Sequence, residues 1–447
     1  MAARLHRTST AGSQTTWTFS GWFKRSNIGS SGQTINSATD GNNWTQCYFG
    51  SDDTFKFKNY VSSSTTGSLE TNRKFRDPAA WYHIVLNWDT TNASAGDRMR
   101  IYVNGVEETS FSSDVNPGSS VASNMNTASS VTALGGTSLG SEDFGGVMAH
   151  CHFIDGTIYA PTAFAETDAT SGIWIAKTSP SVTYGTNGWF LKFASGAITT
   201  DSSGEGNTMT QVGTITNTKD TPDNNFCTLN PLDGNIINSG GLLNGGTTYN
   251  KTSTGVGHNS TTLSTQGVAT GKWYWEVKAT DASDGILGFI NSNHGAFHST
   301  DNQLFGVDDN SYGWRVNGTK YVGTSQTASF FNTYTDDDIL SFAIDLDNGK
   351  CYAAKNGTWE NSGDPTSGAT GTGSFADISD TTLFYSPSVG NMNYNSTTKF
   401  EANYGNGYFG TTSHGETNAD DAGIGLFKYD VPAGYYAICT TNLGDKS

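Results

Sequence analysis

A retaining glycosidase needs two carboxylates about 5 Å apart, and on a strand such a pair shares a face only when its members sit two or four positions apart. The acidic residues of this chain are not spaced that way. Glu107-Glu108 and Glu142-Asp143 are adjacent, which turns their side chains to opposite faces of a strand, and Asp336-Asp337-Asp338 reads as a solvated turn ahead of an apolar alternation. The alternating signatures E-x-D-x-E and E-x-D-x-x-E are absent. No enzymatic activity is expected.

Metal chemistry has little more to build on. His150 and His152 can share a strand face with Cys151 opposite, but no second ligand pair follows at zinc spacing. His294 and His298 stand four apart in a Gly/Ser/Asn-rich loop and read as exposed. The acidic turns Asp345–Gly349 and Asp308–Asn310 carry oxygens that suit calcium, yet they lack EF-hand spacing, and the first is explained as a hairpin turn. No cofactor is therefore expected, and calcium is the one metal whose ligand chemistry is present. Cys47, Cys151, Cys227, Cys351 and Cys439 are odd in number, widely separated and free of CxxC spacing, which predicts reduced, buried thiols rather than a disulfide scaffold.

Sugar binding has a clearer basis. Sugars lay their C–H faces on exposed aromatic rings while amides and carboxylates bond the hydroxyls, so a site calls for aromatics in loops. Tyr312 and Trp314 in SYGWRVNG, Trp359 after the Asn356-Gly357 turn, and Tyr394 in NMNYNS each lie beside Asn or Gly and are the candidate glycan-binding residues. The competing reading is that Trp314 and Trp359 cap a core. Trp17, Trp81, Trp273 and Trp275 sit in strand pattern and are assigned to cores or sheet faces.

The elements that would position such a site are strands. In TGKWYWEVKA, Thr270 to Ala279, Trp273, Trp275 and Val277 alternate with Lys272, Tyr274, Glu276 and Lys278, the two-residue period of a half-buried strand. From Asp338 to Trp359, Leu340, Phe342, Ile344 and Leu346 alternate into an Asn348-Gly349 turn and a returning strand. Earlier, Thr16–Arg25 alternates Trp17, Phe19 and Phe23, Ala80–Asp89 alternates Tyr82, Ile84, Leu86 and Trp88, and Met99–Thr109 forms a hairpin about Asn104-Gly105. Numerous aromatics (11 Trp, 19 Tyr, 24 Phe) and 54 Gly against 9 Pro, with no long run at a 3.6-residue period, make the chain all-β.

Composition limits the partners. Lys and Arg number 24 against 41 Asp and Glu, a formal charge of −17 without a basic stripe, which disfavours a phosphate backbone and argues against nucleic acid. No stretch approaches the roughly 18 apolar residues of a membrane span, so no membrane insertion is expected. The opening MAARLHRTSTAGSQTTW has no apolar core of signal-peptide length.

The strand Thr16–Arg25, the middle strand AWYHIVLNWD and the YVNG hairpin resemble laminin-G-like modules, and the segments 270–279 and 338–359 resemble the SPRY domain. Both are concanavalin A-like jelly rolls. Between them run HFIDGTIYAPTAF, SGIWIAK, YGTNGWFLKF, DSSGEGNTMT and TPDNNFCTLNPL, and VPAGYYAICTTN closes the chain. That ordered set resembles virion proteins of marine tailed phages. The resemblance implies two concanavalin A-like jelly-roll β-sandwich domains, laminin-G-like over 1–196 and SPRY-like over 226–447. A polar Gly/Ser/Thr/Asn/Asp-rich linker over 197–225 joins them.

It also implies a structural protein of the virion surface, assembled in the host bacterial cytoplasm. The first lectin strand starts by Thr16, leaving little room for a tail anchor, which favours a capsid decoration or head fibre over a tail fibre or tail receptor-binding protein. The implied partners are other virion proteins and host-surface glycans, with a homo-oligomer, a trimer first, as the assembly. A glycan-degrading enzyme, a cellular adhesin and a purely cementing protein are the rivals.

Overall fold

Alternating residues build every large sheet of this protein. The computed structural model describes residues 3–30, 32–234, 241–252, 260–294, 305–306 and 309–446. The chain divides into two compact units, Met1–Asn217 and Thr218–Ser447. Both are β-sandwiches, and a helix appears only at Thr440–Lys446 among the described residues, apart from short 3-10 turns.

In the first unit, an eight-stranded sheet runs in the order Phe111–Val115, Ser64–Lys74, Thr54–Val61, Trp44–Phe49, Gln33–Thr39, Val131–Leu134, Arg4–Thr8, Thr210–Val212. A six-stranded sheet orders Trp189–Leu191, Gly146–Asp155, Thr16–Arg25, Trp81–Asp89, Met99–Val103, Val106–Glu107. The core lies between them. Trp17 and Trp88, paired across neighbouring strands, stack at 6.3 Å, and Phe57 of the facing sheet closes on both. Each such ring, fully buried, contributes about 1.5–3 kcal/mol relative to exposure. Gly67 makes room for them, since a Cβ there would stand 2.6 Å from Met99 Sδ and 3.2 Å from the Trp88 ring. The expected alternations are met: Phe19, Phe23, Ile84, Leu86, Met99, Ile101 and Val103 all enter this core. Asn104 and Gly105 turn with φ of 48° and 83°.

In the second unit, one sheet orders Leu229–Gly234, Ser260–Ser264, Tyr385–Asn391, Gly285–Asn291, Ser311–Arg315, Lys320–Val322, Ser325–Thr327. The other orders Leu242–Leu243, Thr248–Lys251, Thr398–Asn403, Lys272–Asp281, Ile339–Asp345, Lys350–Lys355, Thr358–Trp359. Trp273, Trp275, Val277, Leu340, Phe342 and Ile344 face the core as their alternation requires.

Three details differ from the sequence expectation. The opposite side of Lys272–Asp281 is not a solvent face, because Phe427, Tyr435, Ala437 and Cys439 fold over Tyr274 and bury it. The Asn348-Gly349 turn spans four residues, with only Gly349 left-handed, whereas Asn356-Gly357 is the two-residue left-handed turn, with φ of 49° and 80°. The stretch expected to link the domains is not free chain. Thr210–Val212 pairs with Arg4–Thr8, Met209 is in the first core, and Asp201 accepts the N–H groups of Phe190, Ser203 and Asn207. From Thr218 the chain belongs to the second unit, where Asp220 accepts the Phe226 N–H. Polar turn-formers satisfy themselves through backbone pairing, which composition does not register.

Candidate functional site

Of the four aromatics expected on sugar-binding loops, two are core residues. Tyr312 and Trp314 sit two apart on the strand Ser311–Arg315, so they share a face, and that face is the inner one. Tyr312 stacks on Phe289 at 4.7 Å, and Trp314 stacks on Phe331 at 4.6 Å with its indole N–H on the Asn332 carbonyl at 3.0 Å. The intervening Gly313 pairs with Gly288, where a Cβ would run into the Tyr312 carbonyl, so the glycines that read as a loop serve close strand packing. Rings that are 5% and 0% exposed offer no stacking surface. Trp359 is half-buried, edge-on to Tyr274 and Tyr352. Tyr394 is 44% exposed in a turn whose carbonyls at Asn393, Tyr394 and Ser396 take the buried Lys251 ammonium. Tyr394 has no ring partner among the described residues.

The acids of the Glu107-Glu108 pair and of the Asp336-Asp337-Asp338 turn are occupied by the protein's own groups. Glu107 pairs with Arg100, while its neighbour Glu108 pairs with Arg73 on the other sheet. Asp336 takes the Ala282 N–H, Asp337 takes Lys278 and Asp338 takes Lys355. Asp345 of the acidic hairpin turn holds Lys272 at 2.9 Å and the Asn348 amide at 2.8 Å. Asp308 and His298 lie outside the described residues. All five cysteines are free and buried. Among the described residues, no group of three or more His, Cys, Asp or Glu side chains is arranged to hold a metal.

Two buried polar groups lie outside the sequence expectation. The first is the Ser20–His83 pair, with Oγ and Nε2 2.8 Å apart, which has the outline of a nucleophile and base. Its polarity is wrong for that. His83 Nδ1 lies 3.1 Å from the Trp174 indole nitrogen, and an indole N–H can only donate, so the neutral ring carries its proton on Nε2 and gives it to Ser20. Burial, helped by His150, lowers the His83 pKa to about 3. His150 occupies a bulge with φ of 46°, and both it and His152 lie against Phe190. His152 bonds the Tyr184 hydroxyl at 3.0 Å.

The second is Glu276. Its carboxylate accepts the Tyr274 hydroxyl at 3.0 Å, the Lys428 N–H at 2.8 Å, the Tyr429 N–H at 2.9 Å and the Asn403 amide at 3.3 Å. Burial raises its pKa to about 7 against those donors. A raised carboxyl pKa is what a general acid requires. Here every partner is the protein's own, and the group is 0% exposed.

One surface does combine exposed rings with bonding groups, and the sequence reading passed over it. On Trp44–Phe49, Thr45, Cys47 and Phe49 point into the core, leaving Trp44, Gln46 and Tyr48 half-exposed on the outer face of the eight-stranded sheet. The neighbouring strand Thr54–Val61 alternates likewise and presents Lys56, Lys58 and Tyr60. Register sets Trp44 opposite Tyr60, Gln46 opposite Lys58 and Tyr48 opposite Lys56, with Thr39, Ser37 and Thr34 in line on the next strand. Trp44 and Tyr60 stack at 5.3 Å with planes 12° apart, so each ring keeps one face unused by the other. Such a cross-strand aromatic pair adds about 0.5–1.5 kcal/mol beyond its burial and stiffens both rings. Gln46 Nε2 is held by Thr34 at 2.6 Å and by Glu142. Lys58 and Lys56 both pair with Glu70, at 2.7 and 3.2 Å. Burial pushes the Tyr48 phenol pKa up, so it stays a neutral donor. The signal was in the alternation: an aromatic on the polar side of a strand whose other side is plainly core.

Residues 2–162 match the laminin-G family model described as the concanavalin A-like lectin/glucanases superfamily. Solved structures similar to the chain include the SPRY domain of human HERC1, at 14% identity over 39% of this chain and 96% of that one, with a TM-score of 0.30. A human SPRY domain aligns at 17% identity over 35% and 91%, with a TM-score of 0.25. The PSpry domain of TRIM65 aligns at 14% over 40% and 88%, with a TM-score of 0.30. No curated protein sequence matches.

Proposed function

We propose that this chain is a non-catalytic, lectin-like protein of a phage particle surface, and that it holds glycans on the open sheet face of its first unit. The observation that carries the binding role is the Trp44–Tyr60 stack, half-exposed and flanked by the amide of Gln46 and the hydroxyls of Thr39 and Tyr48. The face lies within the residues that match the concanavalin A-like lectin/glucanases superfamily. A non-catalytic role is supported by acids that are dispersed, with Glu107, Glu108, Asp337 and Asp338 each paired to a basic side chain.

The particle assignment rests on the ordered phrases from His152 to Asn442. Capsid decoration or a head fibre is the first placement, and a tail fibre or receptor-binding role at the tail is the second. Symmetric copies, a trimer first, would convert weak sugar contacts into avidity. Partners are then neighbouring virion proteins and host-surface glycans, and no metal is required.

Titration calorimetry of the full chain against a panel of bacterial-surface and algal glycans tests the binding role. Trp44→Ala is expected to weaken binding at least tenfold, about 1.4 kcal/mol, and addition of EDTA to change nothing. Binding indifferent to Trp44→Ala would move the site elsewhere. Electron cryomicroscopy of the particle tests the placement: density on the capsid lattice supports decoration, and density at the tail supports receptor binding.

A further inference from the structure

We infer that the open face takes an uncharged, linear glycan of at least three sugar units, laid along the strand Trp44–Phe49. This rests on the glycan-binding reading above and specifies its ligand.

Charge sets the first half. A carboxylate- or sulfate-bearing sugar is recognised by a cation free to pair with it. The two lysines of this face already converge on one carboxylate, Lys58 Nζ at 2.7 Å from Glu70 Oε1 and Lys56 Nζ at 3.2 Å from Oε2, and Lys56 also lies 3.5 Å from Asp52. Two cations and two anions thus cancel locally, and an anionic ligand would have to break these pairs within a chain of net charge −17. What remains for a ligand is two stacked rings, the Tyr48 phenol, the Gln46 carbonyl oxygen and the half-exposed Thr39 hydroxyl. They are bordered by the exposed Glu142 carboxylate, which repels an anion further. The Ser37 and Thr34 hydroxyls are buried and already bonded.

Geometry sets the second half. Trp44 and Tyr48 share a face four residues apart, ~13 Å at the rise of an extended strand. A pyranose ring spans only a few single bonds of about 1.5 Å, so one or two linked units cannot reach both rings. Three units or more are needed to reach both rings, with Gln46 midway. The Gln46 amide nitrogen is tied to Thr34 and Glu142, which leaves its carbonyl oxygen as the acceptor for a middle-unit hydroxyl.

The test titrates the full chain with neutral gluco-, galacto- and manno-oligosaccharides of one to six units, and with uronate and sulfated oligosaccharides, at low and high salt. The expected result is affinity for a neutral series that rises tenfold or more up to three or four units and is unmoved by salt. Tyr48→Ala should flatten the length dependence, Tyr48→Phe should keep it, and Trp44→Ala should weaken every length. An unchanged thermal midpoint in each variant separates lost contact from lost fold. Binding confined to uronates or sulfated sugars and falling with salt would overturn this inference and leave the glycan-binding role standing. A monosaccharide bound as tightly as a hexamer would overturn the length assignment. No affinity for any sugar, neutral or charged, would overturn the role itself.

Discussion

In the first unit, residues 156–188 lie over the outer face of the six-stranded sheet, and the polar groups they bury are imidazoles. Phe164, Trp174, Ala176 and Tyr184 meet Trp22, Trp81, Val85 and Ile154 there, around His83 and His152. In the second unit, residues 424–439 lie over the outer face of the Lys272–Asp281 sheet, and the polar group they bury is the Glu276 carboxyl. Both coverings are apolar layers pinned by a few hydrogen bonds. They differ in which protonation state each favours, and that gives the units opposite responses to pH. A buried base resists gaining charge on acidification, and a buried acid resists gaining charge as pH rises.

The largest expected effect is the loss of first-unit stability in acid. His83 titrates near 6.5 when unfolded and at about 3 when folded, so the unfolded state binds more protons between those values and stability falls as pH drops through them. From His83 alone the loss reaches on the order of 4–5 kcal/mol by pH 3. Burial moves His152 in the same direction, with His150, His83 and Lys192 adding to it. Calorimetry of the full chain with Trp fluorescence should show the transition that exposes Trp22 and Trp174 moving down as pH falls from 6.5. A transition that stays fixed between pH 6.5 and 4.5 would break the comparison.

The second unit should respond the other way over much of the same range. The folded pKa of Glu276, about 7, lies above its unfolded value of 4.5, so its contribution is full below pH 4.5 and is lost as pH rises to about 7. The change is about 3 kcal/mol. Glu276→Gln should remove that slope while keeping the shape of the side chain. Glu276→Ala should also remove the slope and should cost most, about 3 kcal/mol, below pH 4.5, because it leaves the N–H groups of Lys428 and Tyr429 and the Asn403 amide buried without an acceptor. That cost shrinks as pH rises to about 7 and the wild type loses its own advantage. A Glu276→Gln variant with the wild-type pH slope would show that the carboxyl is not the source.

Much of this arrangement was legible in the sequence, and the misses share a cause. Two-residue alternation marked the main strands of both units and assigned Trp17, Trp273 and Trp275 to cores or sheet faces, and all three lie in cores, because a sheet in contact with a core writes its period into one strand. The coverings were not legible. Tyr274 and Glu276 look like a solvent face until residues 424–439 fold back, a contact more than 140 positions away that no local pattern encodes. Composition misled at Gly313, where a glycine that reads as loop allows close strand packing and carries Tyr312 and Trp314 inward. Trp44 and Tyr60 were missed for the converse reason: sugar-binding aromatics were sought in loops alone, although Cys47 and Phe57 on the other faces of these strands had already claimed the core side.

The smallest expected effects sharpen the comparison most, because each removes one hydrogen bond and leaves the layer in place. Trp174→Phe deletes the indole N–H that bonds His83 Nδ1, at a cost of about 1 kcal/mol near neutral pH. That bond favours the neutral ring, so its loss raises the folded pKa of His83 toward 6.5 and shrinks the acid response of the first unit. Tyr274→Phe deletes the hydroxyl that bonds Glu276 and costs a similar amount. That bond favours the charged carboxylate, so its loss raises the folded pKa further above 4.5 and stretches the decline of the second unit to higher pH. Both pKa values rise, yet one pH dependence contracts and the other extends, because one group is a base held below its unfolded value and the other an acid held above it. Stability measured from pH 3 to 9 on both variants separates the two. If both dependences contract, burial is not the common origin, and the two layers are not variants of one design.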